Sequence, residues 1–383
     1  MTGSFDIFQR AVLADDVLQA ELDATICADT FVERALQVAR GLNVDLDSNA
    51  LRPRARGPVL RPRNSWAPSG WLPVALTEHA GRMAIDWARF GDAPADTSFY
   101  ADAVASASYR PFNRVIRHAT ELDAFIAAAP AQPAASLAGL VFHMSRCGST
   151  LVAQMLGALD AAISLSEPGP LDAVVRFALT RPDIPWERHI ALMRAMVGAL
   201  TRPHGGERYS FLKLDSWHVL ALPLFRAAFP AVPWIYLFRD PAEVLVSQLR
   251  MRGYQTVPSL VPAGLYGLVE GASAGAEAQC ASILARYHDA AIEALADGDG
   301  IAVDYAELPA AFEQRILPHF GLRLSDLERA RVTARAARDA KFPDSRFAPD
   351  SQIKRQEAGA AVGIAAARYL STSHEALRAH AKR

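Results

Sequence analysis

AGLVFHMSRCGSTL, residues 138–151, is the stretch on which the reading of this chain turns. An apolar run from Leu140 to Phe142 has the composition of a buried strand and stops at a short polar loop. The loop carries Arg146, Gly148 and the hydroxyls of Ser149 and Thr150, and the apolar-periodic LVAQMLGAL follows as a helix. Strand, small-residue loop and helix start together make an anion cradle. The first N–H groups of a helix lack internal acceptors, and the helix dipole adds partial positive charge there. Arg146 adds a full charge. The guest that fits is a phosphate or a sulfated phosphate. An ordinary βα loop with a helix cap accounts for the same residues, so the loop alone leaves both readings open.

What the loop lacks narrows the guest. A nucleoside-triphosphate loop of the form G-x-x-x-x-G-K-[ST] needs a glycine where His143 stands and a lysine after Gly148, where Ser149 stands. Here the basic residue precedes the glycine. Cys147 invites a phosphatase reading, but that chemistry wants an arginine six residues on, and position 153 is Ala153. Cys147 reads as a small loop residue whose place at a helix start favours reactivity.

A second segment, PWIYLFRDPAEVLVSQLR at 233–250, lies about 90 residues further on. Trp234 to Phe238 is a buried-strand run bounded by Pro233 and an Asp-Pro turn. Pro241 suits the first turn of a helix, which leaves Arg239 at the strand tip and Ser247 two turns into the helix. The alternative for Arg239-Asp240 is a salt-bridged strand end.

The two segments, in this order, resemble the sulfotransferases that use 3′-phosphoadenosine 5′-phosphosulfate (PAPS). The first resembles their 5′-phosphosulfate loop, which runs basic, small, Gly, Ser/Thr, Thr. The second resembles their 3′-phosphate segment of apolar strand, Arg, Asp or Asn, Pro, and a later Ser. The resemblance covers about residues 138–320. It implies that Arg146, Cys147, Gly148, Ser149 and Thr150 line the 5′-phosphosulfate site and that Arg239 and Ser247 hold the 3′-phosphate. Arg146 departs from the commoner lysine, and it offers a planar fork instead of a compact charge.

Two catalytic candidates lie between the segments. ISLSEP (163–168) reads as a strand ending at Glu167, and open α/β sheets bind ligands outside the carboxyl ends of their strands. Glu167 is placed to deprotonate an acceptor, and its spacing from Gly148 resembles that of the catalytic glutamate of the tyrosylprotein branch. The alternative is a carboxylate opening the helix that PLDAVV begins. Lys213, in YSFLKLD, is one of four lysines in the chain, and a charge inside an apolar run must be paired. The resemblance makes it the group that steadies the leaving phosphate. A salt bridge to Asp215 or an outward-facing position is the alternative. No metal is implied.

Composition sets the frame. Half of the 383 residues are hydrophobic and the net charge is −1, so nothing draws the chain to nucleic acid or an anionic membrane. Cys27, Cys147 and Cys280 are too few and too scattered for a disulfide framework or a metal quartet. The first residues lack a secretory pattern and no 18-residue apolar run occurs, so the expected compartment is cytoplasmic.

Outside the two motifs, four regions are read. Residues 1–50 are expected as a helical hairpin. Phe5, Phe8, Val12, Leu13, Val17 and Leu22 fall at helical spacing, Thr30 and Glu33 form a capping box, and Gly41 follows the last turn. This unit resembles the nitrogen-fixation-type leader-peptide domain, which implies docking of a protein partner or a cap on the catalytic domain. Residues 51–64, LRPRARGPVLRPRN, read as a linker. Residues 65–137 form an extension on the acceptor side or a core element, in which WLPVAL and RMAIDWARF pair across TEHAG and a helix covers Thr120–Ala128. Residues 138–383 form the main domain. In it, Ala276–Ala296 reads as a helix, Gly300–Tyr305 as a strand and Pro309–Phe320 as a helix. IAVDYAEL, with Asp304 and Glu307, resembles the sulfotransferase strand ending in Tyr-Glu-x-Leu. Lys354-Arg355 is either a basic C-terminal loop over the 3′-phosphate or a solvated turn.

The expected fold class is therefore α/β, a three-layer sandwich with a mostly parallel central sheet, plus the N-terminal helical hairpin. The expected activity is sulfuryl transfer from PAPS to a hydroxyl or amine of a small-molecule or peptide acceptor. The rivals are a non-catalytic nucleotide-binding or docking protein, a kinase-like enzyme, and a hydrolase built on the G-x-S-x-G at Gly271–Gly275 with His288 or His319.

Overall fold

The computed structural model of the chain describes residues 3–51, 61–91, 98–257, 264, 275–340 and 350–382. They fall into two compact units, Met1–Ala135 with Pro168–Gly206 and Ser136–Glu167 with Glu207–Arg383.

The first unit begins with three helices, Ser4–Leu13, Asp16–Asp23 and Ala28–Gly41, where a two-helix hairpin was expected. The break falls at Asp15, whose carboxylate accepts the N–H groups of Val17 (2.9 Å) and Leu18 (3.1 Å). An aspartate that caps a new helix outcompetes continuation of the old one. The third helix starts before Thr30, with Cys27 at its cap. Gly41 is helical, and the left-handed residue after it is Asn43, at φ 56°.

Strands β1 (Trp71–His79) and β2 (Arg82–Arg89) form the expected antiparallel hairpin. Its turn is only Ala80-Gly81, at φ 52° and 81°, the pair of positive values that a two-residue type I′ turn requires. Strand β3 (His118–Glu121) adds to β2, and the helix Leu122–Ala128 follows it, shorter than expected because Thr120 and Glu121 pair in the sheet. Gln19, fully buried, ties the N-terminal helices to the hairpin. Its Oε1 accepts from Trp71 Nε1 (2.7 Å) and Arg89 (3.3 Å), while its Nε2 donates to Leu13 O (3.2 Å) and Asp16 (3.3 Å). The N-terminal helices are thus part of this unit's core. The unit also takes in residues 168–206, which were read with the main domain. Helices Gly169–Thr180 and Trp186–Leu200 pack on β1, burying Leu171, Val174 and Val175 from one and Leu192, Met193 and Met196 from the other.

The second unit holds a five-stranded, all-parallel sheet. Its strands are β4 (Ser136–His143), β5 (Ala162–Ser166), β6 (Tyr209–Lys213), β7 (Trp234–Phe238) and β8 (Gly300–Asp304), in the order β5-β6-β4-β7-β8. The fold class is α/β, as expected. Leu140, Val141 and Phe142 of β4 and all five residues of β7 are buried, the pattern of strands covered on both faces. The chain runs from β4 out to β5, returns to β6, then crosses to β7 and β8. Parallel crossovers are right-handed, so the helix Ser149–Gly157 and the helices after β7 fall on opposite faces. The reversal at β4 opens a crevice at the carboxyl ends of β4, β6 and β7. Gly139 lets β4 meet the Phe320 ring, because a Cβ there would lie 2.7 Å from it. The final helices include Phe312–Ile316 with a π-type turn, then Ser351–Glu357, Ala360–Tyr369 and Ser371–Ala381.

Among the described residues, no helix is long and apolar enough to cross a membrane. Residues 52–60 of the expected linker, and Gly271 to Ala274 of the G-x-S-x-G, lie outside the described residues.

Gln19→Ala should lower unfolding stability by about 2 kcal/mol, the cost of stranding buried donors on Trp71 and Arg89. A urea melt checks this, with a lower midpoint and an unchanged slope expected.

Candidate functional site

The loop after β4 is built on unusual backbone. Ser145 (φ 77°) and Arg146 (φ 54°) are left-handed, as is Gly148 (φ 82°), which caps the helix Ser149–Gly157. Left-handed non-glycine residues are strained and persist only where surroundings hold them. Here the Ser145 N–H donates to His143 Nδ1 (3.0 Å), and Ser145 Oγ accepts from Gln248 (2.9 Å) and Gln255 (3.2 Å). The Met144 N–H donates to Leu237 O (3.1 Å), and Met144 Sδ accepts from the Arg239 N–H (3.2 Å). Gly148 has a second reason to be glycine: a Cβ would sit 2.8 Å from the Tyr305 ring. The result brings the N–H groups of a helix start to the crevice, with Ser149 and Thr150 buried in its first turn.

Two loop side chains are tied to neighbouring backbone. Arg146 is half-buried and its guanidinium donates to Met251 O (2.7 Å). Cys147 is fully buried, with Sγ donating to Leu237 O (3.2 Å), and burial pushes its thiol up to about 12. The expectation of a reactive thiol therefore fails, because desolvation outweighs the helix start.

Glu167 and Lys213 meet at the ends of β5 and β6. Glu167 is also left-handed (φ 50°), and its N–H donates to Lys213 O (2.7 Å). Lys213 is 1% exposed, and its Nζ is paired with Glu167 Oε1. His143 stands 3.6 Å from the same oxygen. Its Nδ1 accepts from Ser145 while its Nε2 donates to Leu214 O (2.9 Å), which assigns a neutral ring, and burial lowers its pKa. Burial pushes the Glu167 carboxyl up, but the Lys213 charge and the nearby His143 overcome that and hold it well below the usual carboxylate range.

Arg239 ends β7 as expected and is nearly buried. Asp240 does not pair with it as a strand-end salt bridge. It caps the helix Pro241–Arg250 by accepting the Glu243 N–H (3.1 Å). Arg239 Nε donates to Glu243 (2.7 Å), and its terminal nitrogen meets Asp350 Oδ1 (2.8 Å) and Ser351 Oγ (3.1 Å). Its face lies 4.0 Å from the centre of the Tyr305 ring. Arg239 also reaches Arg146 O (3.5 Å), so the strand tip and the loop adjoin. Ser247 is buried on the helix as its spacing required. Lys354 and Arg355 are neither a loop nor a solvated turn. They sit on the helix Ser351–Glu357, Lys354 paired with Asp350 (2.6 Å) and Arg355 with Glu243 (2.8 Å).

Sequence reading missed the polar group beyond β6. Tyr254 OH donates to Asp215 Oδ1 (2.9 Å) and accepts from Trp217 Nε1 (3.0 Å), with Asp215 and Trp217 buried. The signal was the cluster DSWH directly after Lys213 and Leu214. His288 is buried between Ser373 Oγ (2.9 Å) and Met144 Sδ (3.5 Å), and His319 bonds Trp234 O (3.0 Å). Both rings that a hydrolase would draw on are thus held by other groups.

No protein-family model matches the chain, and no curated protein matches it in sequence. Among solved structures, sulfotransferase STF9 from Mycobacterium avium is similar over 66% of this chain and 81% of its own, at 15% identity and a TM-score of 0.40. Sulfotransferase STF1 from Mycobacterium tuberculosis H37Rv covers 70% of this chain and 86% of its own, with the same identity and TM-score. The sulfotransferase domain of the olefin synthase from Synechococcus PCC 7002 covers 66% and 96%, at 15% identity and 0.36.

The Glu167–Lys213 pair predicts a pH signature. The folded carboxyl lies below its ordinary value of 4.5, so the pair's contribution is complete above that value and is lost as pH falls toward the folded one. Lys213→Met should cost about 2 kcal/mol near neutrality, less than for a fully buried pair because Glu167 keeps some exposure. It should also flatten the acid limb, so that the deficit against wild type narrows as pH falls below 4.5. Urea midpoints from about pH 3 to pH 7 check both, and a deficit that stays constant with pH would mean that another group neutralises Glu167.

Proposed function

We propose that this chain is a PAPS-dependent sulfotransferase acting on a hydroxyl or amine of a small-molecule or peptide acceptor. One observation carries the reading. A helix-start cradle, a buried lysine paired with a glutamate, and a strand-tip arginine lie together at the carboxyl ends of adjacent parallel strands. Two separate cationic subsites suit a donor with two separate phosphate groups.

In this reading the N–H groups at Gly148–Thr150 hold the 5′-phosphosulfate, and Arg146 contributes the donors not used on Met251 O. Arg239, with Ser247 two turns along the following helix, takes the 3′-phosphate. The backbone N–H of Cys147 belongs to the cradle, while its thiol takes no part.

The pairing of Lys213 with Glu167 sets the order of events. While paired, Glu167 is a weak base. When Lys213 turns to the oxygen that bridges sulfur and phosphorus, Glu167 loses its counter-ion and its proton affinity rises. Glu167 then takes the acceptor proton. The acceptor oxygen or nitrogen forms the new bond to sulfur, the bridging S–O bond breaks, and its electron pair stays on the 5′-phosphate of adenosine 3′,5′-bisphosphate. Lys213 and the cradle N–H groups stabilise that charge. Most of the acceleration comes from alignment and fixed dipoles.

Thermal melting with adenosine 3′,5′-bisphosphate tests the nucleotide half. At 100 times the dissociation constant it should stabilise the fold by about 2.7 kcal/mol, and Arg239→Ala should abolish most of that. Greater stabilisation by ATP with Mg²⁺ would overturn the reading in favour of phosphoryl transfer. For the chemical half, Glu167→Gln should lower kcat about a hundredfold or more at nearly unchanged KM for the donor, measured by release of the bisphosphate.

A further inference from the structure

We infer that Asp350 is an internal anion standing in the phosphate position of Arg239, and that it must be exchanged for a phosphate dianion, so that this one carboxylate sets which ligands the subsite accepts. The inference rests on the reading of Arg239 as a phosphate ligand.

Two carboxylates meet Arg239, and they are not equivalent. Glu243 is 2% exposed and clamped from both sides, by Arg239 on Oε2 (2.7 Å) and by Arg355 on Oε1 (2.8 Å). It comes from the helix that follows Arg239, four residues on, and it orients the guanidinium. Asp350 is 41% exposed and comes from a distant part of the chain. Its two oxygens bridge two cations, Oδ1 to Arg239 (2.8 Å) and Oδ2 to Lys354 Nζ (2.6 Å), both of which are nearly buried. Two acceptor oxygens held between two cations is also what two oxygens of a phosphate present. The Tyr305 ring, 4.0 Å below the guanidinium, keeps that fork in its plane whichever anion sits there.

Charge tells the same story. Arg239, Lys354 and Arg355 face Glu243 and Asp350, an excess of one positive charge. With Asp350 turned out to solvent, the excess becomes two, matching a phosphate dianion. Glu243 cannot make the same move, because an uncompensated carboxylate would be left where water does not reach. A neutral sugar hydroxyl cannot displace Asp350, since it would strand two nearly buried cations. A nucleotide that carries a hydroxyl where the second phosphate belongs leaves Asp350 in place and gains nothing from the two cations. Only a dianion displaces Asp350, and only that ligand bears the cost of the exchange.

Isothermal titration calorimetry with adenosine 3′,5′-bisphosphate and adenosine 5′-monophosphate tests this on wild type, Asp350→Asn and Asp326→Asn. The last makes the same change of net charge at an exposed residue away from Arg239. Asp350→Asn should tighten the bisphosphate about fivefold and leave the monophosphate within twofold, and Asp326→Asn should change neither. Asp350→Ser serves as a second variant of the same sign should the amide disturb folding. Unchanged or weaker bisphosphate binding in both Asp350 variants, with wild type binding normally, overturns the exchange and leaves the nucleotide reading intact. Equal tightening of both ligands overturns it as well, because it reports only a change of overall field. No bisphosphate binding by any form removes the nucleotide reading and the exchange with it.

Discussion

The chain lays down the middle strand of its parallel sheet before the others, and the site follows from that constraint. With β4 in the centre, the path goes to β5 and β6 on one side and to β7 and β8 on the other. Four strand ends then deliver the candidate groups: the cradle from β4, Glu167 from β5, Lys213 from β6 and Arg239 from β7. The strained left-handed residues Ser145, Arg146 and Glu167 lie at these ends. Such backbone survives there because a packed sheet and the hydrogen bonds of His143, Gln248 and Gln255 hold it in place.

Charge compensation is the second organising feature. Lys213 and Arg239 are almost buried, and a buried cation has to be paired. The fold answers with Glu167 for one and with Glu243 and Asp350 for the other. The same pairs that make burial tolerable also mute the site. A glutamate clamped by a lysine is a poor base, and in the proposed reading an arginine shared by two carboxylates is a guarded anion site. Binding of a ligand that carries its own negative charge would release both, so the electrostatic cost of folding and the chemistry read from the site involve the same atoms.

Much of the second unit was legible from local pattern. The apolar runs at 140–142 and 234–238, the Pro241 helix start and the lysine inside YSFLK all correspond to observed elements, because each signal lies within a few consecutive residues. The hairpin of the first unit was legible too, since alternation and an Ala-Gly turn are local. The break between the first two N-terminal helices was not. Apolar spacing ran through Asp15, and nothing in that spacing says that its carboxylate caps a new helix. Residues 168–206 were read with the sheet because they follow β5 in the chain, but their apolar faces cover β1.

By itself, the sequence determined the α/β class of the sheet unit, the order of its strands along the chain, and which residues stand at their carboxyl ends. Those follow from hydrophobic period and turn chemistry, which act between near neighbours. Only the tertiary structure decided the partners. Lys213 meets Glu167 across 46 residues and Arg239 meets Asp350 across 111, while Cys147 is sealed from solvent by β7 instead of facing the cradle as a thiolate. Partners at that separation are set by which strands become neighbours, and the Coulomb energy that selects them exists only once water has been excluded from between them.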